Sequence, residues 1–216
     1  AVGFTPGRAE ISNAGKAYIP NFDSNTVSVM STSTGAVSST INVGDGPAQV
    51  ALTPDQTKLL VPNQYAATMS VIGTTAGTVS ATITVATPYV ASDMRKPVIN
   101  KAGTRAYVCY INKDAVNGYA NPTACIKTIN LSTNAVIATS STWASLNEIN
   151  PILSKDETKV YVGIHNTSSQ SIKIIKVSDS SITTLSLTGS FAALNDLVLD
   201  PDGTHLYATQ SSASPY

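Results

Sequence analysis

The chain has 216 residues, with 13 basic side chains against 13 acidic ones and only 12% charged residues. That balance excludes the electrostatic footprint of a nucleic-acid binder or a polybasic membrane-surface protein. No apolar run approaches the roughly 18 residues that a membrane helix needs, which argues against membrane insertion.

The predicted elements, taken in chain order, repeat. Lys16-Ala17-Tyr18-Ile19-Pro20-Asn21 is followed by Lys58-Leu59-Leu60-Val61-Pro62-Asn63, Arg105-Ala106-Tyr107-Val108, Lys159-Val160-Tyr161-Val162 and His205-Leu206-Tyr207-Ala208. The central residues 18, 60, 107, 161 and 207 are therefore 42, 47, 54 and 46 apart. A period in the forties built from short β-rich runs predicts propeller blades rather than a helical solenoid. The approximate repeats are 7–47, 48–94, 95–147, 148–194 and an incomplete 195–216, within one domain.

Each repeat reads as four strands. A short apolar one (Val50-Ala51-Leu52, Val98-Ile99, Ile152-Leu153, Leu197-Val198-Leu199) precedes a polar turn such as Pro54-Asp55-Gln56-Thr57 or Pro201-Asp202-Gly203-Thr204. Those turns suit tight hairpins. The Tyr-Val run is the second strand. The third is Val27-Ser28-Val29-Met30, Met69-Ser70-Val71-Ile72, Ile126-Lys127-Thr128-Ile129 and Ile172-Lys173-Ile174-Ile175. Its second position is always Ser or Lys, which predicts a solvent-facing side at a period of two. The fourth strand follows a Thr-Gly or Thr-Asn turn at Ala36-Val37, Thr78-Val79 and Ala135-Val136, with a looser Ser181-Ile182. The expected fold is all-β: a β-propeller of four-stranded antiparallel blades, about four and a half of them.

The run Tyr18-Ile19-Pro20-Asn21-Phe22-Asp23-Ser24-Asn25-Thr26-Val27-Ser28-Val29, with Thr34-Gly35-Ala36-Val37, Val43-Gly44-Asp45-Gly46-Pro47 and Thr53-Pro54-Asp55, closely resembles the YVTN family of β-propeller repeats. The likeness is strong in the first two repeats and looser in the third and fourth, and Pro20 and Pro62 stand where the motif has Thr. It implies a ring that is typically seven-bladed and an address in surface-layer or secreted proteins of bacteria and archaea. It carries no catalytic residues. Val2-Gly3-Phe4-Thr5-Pro6 matches Val43-Gly44-Asp45-Gly46-Pro47, so a preceding blade is expected before it. The fifth copy stops after its second strand. A longer chain, a second chain or a neighbour in an assembly would then complete the ring, with self-association through open blade edges.

Cys109 and Cys125 align with Pro20 and Thr26 and flank a hairpin connection, so a disulfide is expected, the alternative being two unrelated buried thiols. A disulfide implies an oxidising compartment. The abundance of serine and threonine, 53 residues together, also suits a secreted or cell-surface β protein. Asn130-Leu131-Ser132 and Asn166-Thr167-Ser168 fit the glycosylation pattern.

Sites of chemistry are sparse. His205 fills a slot that is basic in every copy, His165 has no second ligand near it, and no metal or cofactor motif is found. One polar slot recurs at the entrance to the central channel: Arg8, Gln49, Lys96, Asn150 and Asp196. Glu10 stands in a slot that is otherwise apolar, where a carboxylate must be paired, protonated or wetted. The insertion after Tyr110, with Asn112, Asp114 and Tyr119, is expected on the partner-binding face, with Trp143 opening onto it. Rings beside amides suit sugars or peptides. The expected function is a non-enzymatic extracellular module for adhesion, envelope structure or assembly, with a protein or cell-surface glycan as partner. The alternatives are a glycan- or peptide-binding module and a lactonase-like or redox propeller enzyme.

Overall fold

The computed structural model describes residues 1–87, 92–113, 122–144, 147–148, 150–165, 170–187 and 193–211. Asp114 and Tyr119 lie outside the described residues, as does the sequon at 166–168. Blade 1 comprises β1 (Glu10–Ile11), β2 (Lys16–Asn21), β3 (Thr26–Ser31) and β4 (Val37–Asn42), hydrogen-bonded in that order. Blade 2 repeats it with β5 (Ala51–Leu52), β6 (Lys58–Asn63), β7 (Thr68–Gly73) and β8 (Thr78–Thr84).

Blade 3 holds β9 (Ser92–Met94), β10 (Val98–Ile99), β11 (Arg105–Asn112), β12 (Thr123–Asn130), β13 (Ala135–Thr139) and β14 (Trp143–Ala144). β9 and β10 both pair with β11, and β13 and β14 both pair with β12, so its first and fourth strands are each interrupted. Blade 4 holds β15 (Asn147–Glu148), β16 (Ile152–Leu153), β17 (Lys159–His165), β18 (Gln170–Lys176) and β19 (Ile182–Leu187), with β15 and β16 both on β17. β20 (Ala193–Leu199) and β21 (Leu206–Ser211) form a final hairpin. Every pairing is antiparallel, and the described residues contain no helix.

Local chemistry explains the hairpins between first and second strands. In each, the backbone N–H of the fourth turn residue donates to the carbonyl of the first: Gly15 to Ser12, Gln56 to Thr53, Gly103 to Asn100, Glu157 to Ser154 and Gly203 to Asp200. That fourth residue is left-handed in all five copies. Gln56 and Glu157 are not glycine, and each offsets its strain with a bond to the neighbouring blade. Gln56 Oε1 accepts from the Asn13 N–H at 2.9 Å, and Glu157 Oε1 accepts from the Lys101 N–H at 2.5 Å.

The core lies between blades. Tyr18, Val27 and Val29 of blade 1 pack on Leu59, Val61 and Ile72 of blade 2. Leu60, Met69 and Val71 pack on Val108, Tyr110 and Ile129 of blade 3, whose Tyr107, Cys109 and Ile126 meet Val160, Val162 and Ile175 of blade 4. Leu59 and Leu60 are adjacent in sequence and serve opposite interfaces, as strand alternation demands.

Two expectations are corrected here. Ser28 and Ser70 are buried, not solvent-facing. Each accepts a hydrogen bond at 2.9 Å from a buried amide, Asn21 Nδ2 and Asn63 Nδ2, which also donate to Thr26 and Thr68. Gly44 lets the backbone approach Asn63 so closely that a Cβ there would lie 2.6 Å from its Nδ2. Blades 3 and 4 put Tyr110 and Ile164 in the asparagine slot, and the serine slot becomes Lys127 and Lys173, which are half-buried.

The expected disulfide is not formed either: Cys109 and Cys125 are both buried, and no bridge joins them. Cys109 pairs with Ile126, while Cys125 pairs with Tyr110. A one-residue offset across an antiparallel pair places two side chains on opposite faces of the sheet. Cys109 therefore packs toward blade 4 and Cys125 toward blade 2, and burial pushes the Cys125 thiol pKa up. Unfolding without reductant in the presence of a thiol label should modify both cysteines, read by mass spectrometry; a single unlabelled pair would contradict this packing.

The turn between third and fourth strands gives a second prediction. Its left-handed residue is Gly35 in blade 1 and Gly77 in blade 2, but Ser180 at φ 59° in blade 4. Ser180→Gly should relieve roughly 1 kcal/mol of strain and raise the thermal midpoint by about 2–4 °C, followed by calorimetry.

Candidate functional site

The first strands of successive blades converge, and the polar slot that precedes them converges with them. In blades 3 and 4 the slot residue is followed by proline, as Lys96-Pro97 and Asn150-Pro151. Proline lacks the N–H that would continue the ladder and keeps the preceding residue extended. This separates β9 from β10 and β15 from β16. The Lys96 N–H is thereby turned away from its own sheet and shared between two neighbours. It donates to Gln49 Oε1 of blade 2 at 2.7 Å and to Asn150 Oδ1 of blade 4 at 3.1 Å. The Lys96 ammonium crosses to blade 1 and meets Glu10 Oε2 at 2.5 Å.

Glu10, Gln49, Lys96 and Asn150 are thus one cluster drawn from four blades. The carboxylate in the apolar slot is paired, as its placement requires. Beside it opens a recess of about 250 Å³ lined by Glu10, Ala51, Lys96, Val98, Asn150 and Pro151, among others. Its walls are mainly apolar, with one ion pair at the rim. Of the other slot residues, Arg8 is exposed. Asp196 is exposed too and turns its carboxylate to the Leu197 N–H at 2.9 Å. Neither joins the cluster.

Trp143 does not open onto a partner face. It is 7% exposed and lies between blades 3 and 4 with Ile111, Ala124 and Ile164. The row Asp93, Ile111, Ala124, Trp143 runs across β9, β11, β12 and β14, so the register of β14 drives the indole inward. Asn112 is half-buried on the opposite side of that sheet, with its Oδ1 unpartnered.

Asp93 was not singled out by its sequence context. Its carboxylate is buried, with Oδ2 3.4 Å from Arg95 Nη1 and 3.7 Å from Lys113 Nζ. One acid among three residues of an interrupted strand leaves no periodic signal, so only the pairing of β9 with β11 reveals it.

His205 sits in its basic slot at the last turn, its Nδ1 2.8 Å from Asp200 Oδ2. With Asp202 it makes a group of three metal-ligating side chains whose ligand atoms lie within 4.8 Å of one another. The geometry is that of the turn itself. Asp55 and Asp156 cap equivalent turns by accepting from Thr57 and Thr158, with no histidine involved. The Asp200 carboxyl is held far below the usual range, first by the His205 backbone N–H.

No family model and no curated protein matches this chain. Its structure is similar to that of the Kuenenia stuttgartiensis hydrazine synthase, with a TM-score of 0.73 and 17% sequence identity. The match covers 94% of this chain and 61% of that one. The fold is a β-propeller. In all, 683 solved chains share the likeness, and an architecture so widely used fixes no activity by itself.

Asp156 supplies a test of the turn chemistry. Ser154 Oγ donates to it at 2.6 Å and the Thr158 N–H at 3.1 Å, which lowers its pKa from 3.8 to about 2. A depressed folded pKa means that the stabilisation is present above the unfolded value and is lost as pH falls through about 2. In an NMR titration, Ser154→Ala should return the Asp156 pKa toward 3.8; an unchanged midpoint would mean the serine bond is not its main cause.

Proposed function

We propose that this chain is a YVTN-type β-propeller module of a secreted or cell-surface protein, acting without catalysis in adhesion, envelope structure or assembly. The observation that carries the reading is how the axial polar groups are used. Glu10, Gln49 and Asn150, from three other blades, all bond to Lys96. A general acid or base must exchange its proton with a substrate, whereas the carboxylate and ammonium here are spent on joining blade 1 to blade 3. They act as a fastener around the axis.

The YVTN assignment is supported by the likeness of the first two repeats and by a physical reason for the motif's asparagine, the buried amide of Asn21 and Asn63 bonded to paired hydroxyls. The extracellular address now rests on that likeness and on a hydroxyl-rich, weakly charged composition, since the cysteines contribute nothing to it. A protein or cell-surface glycan remains the partner class, but burial of Trp143 removes the aromatic platform expected for a sugar. The axial recess favours a second reading, a small ligand with an apolar body and one polar group facing the Glu10–Lys96 rim.

Fractionation of the source cells with an antibody to this chain should recover it outside the cytosol; recovery in the cytosol alone would overturn the address. A lactone-hydrolysis screen addresses catalysis separately. Turnover by the purified protein that disappears in Glu10→Gln would replace the scaffold reading with an enzyme.

A further inference from the structure

The turns between second and third strands of blades 1 and 2 bring two aromatic rings together. Phe22 lies between β2 and β3, and Tyr65 between β6 and β7. Their centroids are 5.2 Å apart with the ring planes at 73°, an edge-to-face pair. Gly46, in the crossing from blade 1 to blade 2, is the floor beneath both. Its backbone is left-handed at φ 72°, and a Cβ there would lie 3.2 Å from Tyr65 Cδ2 and 3.3 Å from Phe22 Cε2. The crossing is held from both blades. The Gly46 N–H donates to Asn25 Oδ1 at 3.0 Å, and the carbonyls of Asp45 and Gly46 accept from the N–H groups of Tyr65 and Gln64 at 3.2 and 3.0 Å.

Blade 1 builds the equivalent junction without a ring pair. The Phe22 N–H donates to the Thr5 carbonyl as Gln64 does to Gly46, so Thr5 holds the Gly46 slot and Asp23 the Tyr65 slot. There the Thr5 hydroxyl donates to the Asp23 carboxylate. A junction that forms with a hydroxyl and a carboxylate does not need two rings to fold, and Tyr65 is 46% exposed although blades stand on both sides of it. Two exposed carboxylates flank the pair, Asp23 next to Phe22 and Asp45 next to Gly46. Among the described residues neither makes an ion pair. Ring faces attract a cation, and unpaired carboxylates beside them add to the same field, whereas both disfavour an anion.

We propose that Phe22, Tyr65, Asp23 and Asp45 receive a lysine or arginine side chain of a protein partner. Its alkyl stem lies on the rings and its charged head meets the carboxylates. The occupant follows from the charge: the surface offers apolar contact and negative potential together, and a long cationic side chain supplies the complement of both. This inference rests on the reading above that the module binds a protein. Its experiment follows ring contacts alone, so its failure leaves the address and catalysis tests standing.

Titration of the 216-residue chain with octalysine, followed by NMR, should shift the ring protons of Phe22 and Tyr65. The effect should weaken as salt is raised. Tyr65→Leu keeps apolar volume without a ring face, and Asp45→Asn removes a charge; each should weaken octalysine binding about two- to fivefold. Tyr65→Phe keeps the ring and should bind as the wild type does. Amide spectra check that each variant folds. Phe22 and Tyr65 resonances that do not move with octalysine overturn the proposal, as does a Tyr65→Leu or Asp45→Asn variant that binds as tightly as the wild type. Loss of binding in Tyr65→Phe would place the contact on the hydroxyl and overturn it too. So would movement of the same resonances with cellohexaose and not with octalysine, which would assign the rings to a sugar.

Discussion

The apolar contact between consecutive blades is the constraint on which the rest of the structure depends. A sheet of four short strands with two apolar faces has no interior of its own and buries them only by stacking on neighbours. Residues such as Leu59, Leu60, Met69 and Ile72 are fully buried this way. Each contributes on the order of 1.5–3 kcal/mol relative to exposure. A partly exposed ion pair such as Glu10–Lys96 contributes roughly 0.2–1 kcal/mol. Apolar stacking therefore sets the spacing of the blades, and the axial hydrogen bonds choose among the rotations that stacking allows.

The same constraint explains why the second and third strands carry the strongest repeat signal. Both faces of these strands are covered, so every position has a packing requirement, and a slip of one residue would exchange the two sets of neighbours. The asparagine slot shows how narrow the solutions are. A buried amide is tolerated where Thr26 and Ser28, or Thr68 and Ser70, take up its donors. Where the slot becomes Tyr110, which packs with Met69 and Val108, the facing position becomes Cys125, and the next position along that face becomes Lys127. In blade 3 the amide and both hydroxyls are replaced together, whereas in blade 4 Ile164 still faces a half-buried hydroxyl, Ser171.

Strand order and turn chemistry were legible in the sequence because they are local and repeated. Face assignments were not. Ser28 reads as a solvent position by polarity, and only the presence of Asn21 across the ladder makes it a buried one. Cys109 and Cys125 read as partners by proximity along a hairpin, yet their one-residue offset puts them on different interfaces. Trp143 reads as a binding ring because it falls in a connection, but β14 adds to β12 and turns it inward. In each case a two-residue period was visible while the identity of the covered side depended on a strand elsewhere.

The axis behaves oppositely. Its slots differ from copy to copy, as Arg8, Gln49, Lys96, Asn150 and Asp196 do, because side chains from different blades meet there instead of meeting a repeated neighbour. Lys96 is accommodated only because Glu10 faces its ammonium and because Gln49 and Asn150 flank its backbone. Glu10 in turn sits in an apolar slot with its carboxylate partly exposed to water and paired with Lys96, 86 residues later. Repetition thus fixes the positions whose surroundings repeat and releases those whose surroundings are unique. Chemistry specific to this protein is to be sought where the copies disagree, and the Glu10–Lys96 rim with its recess is the place where the disagreement and an accessible cavity coincide.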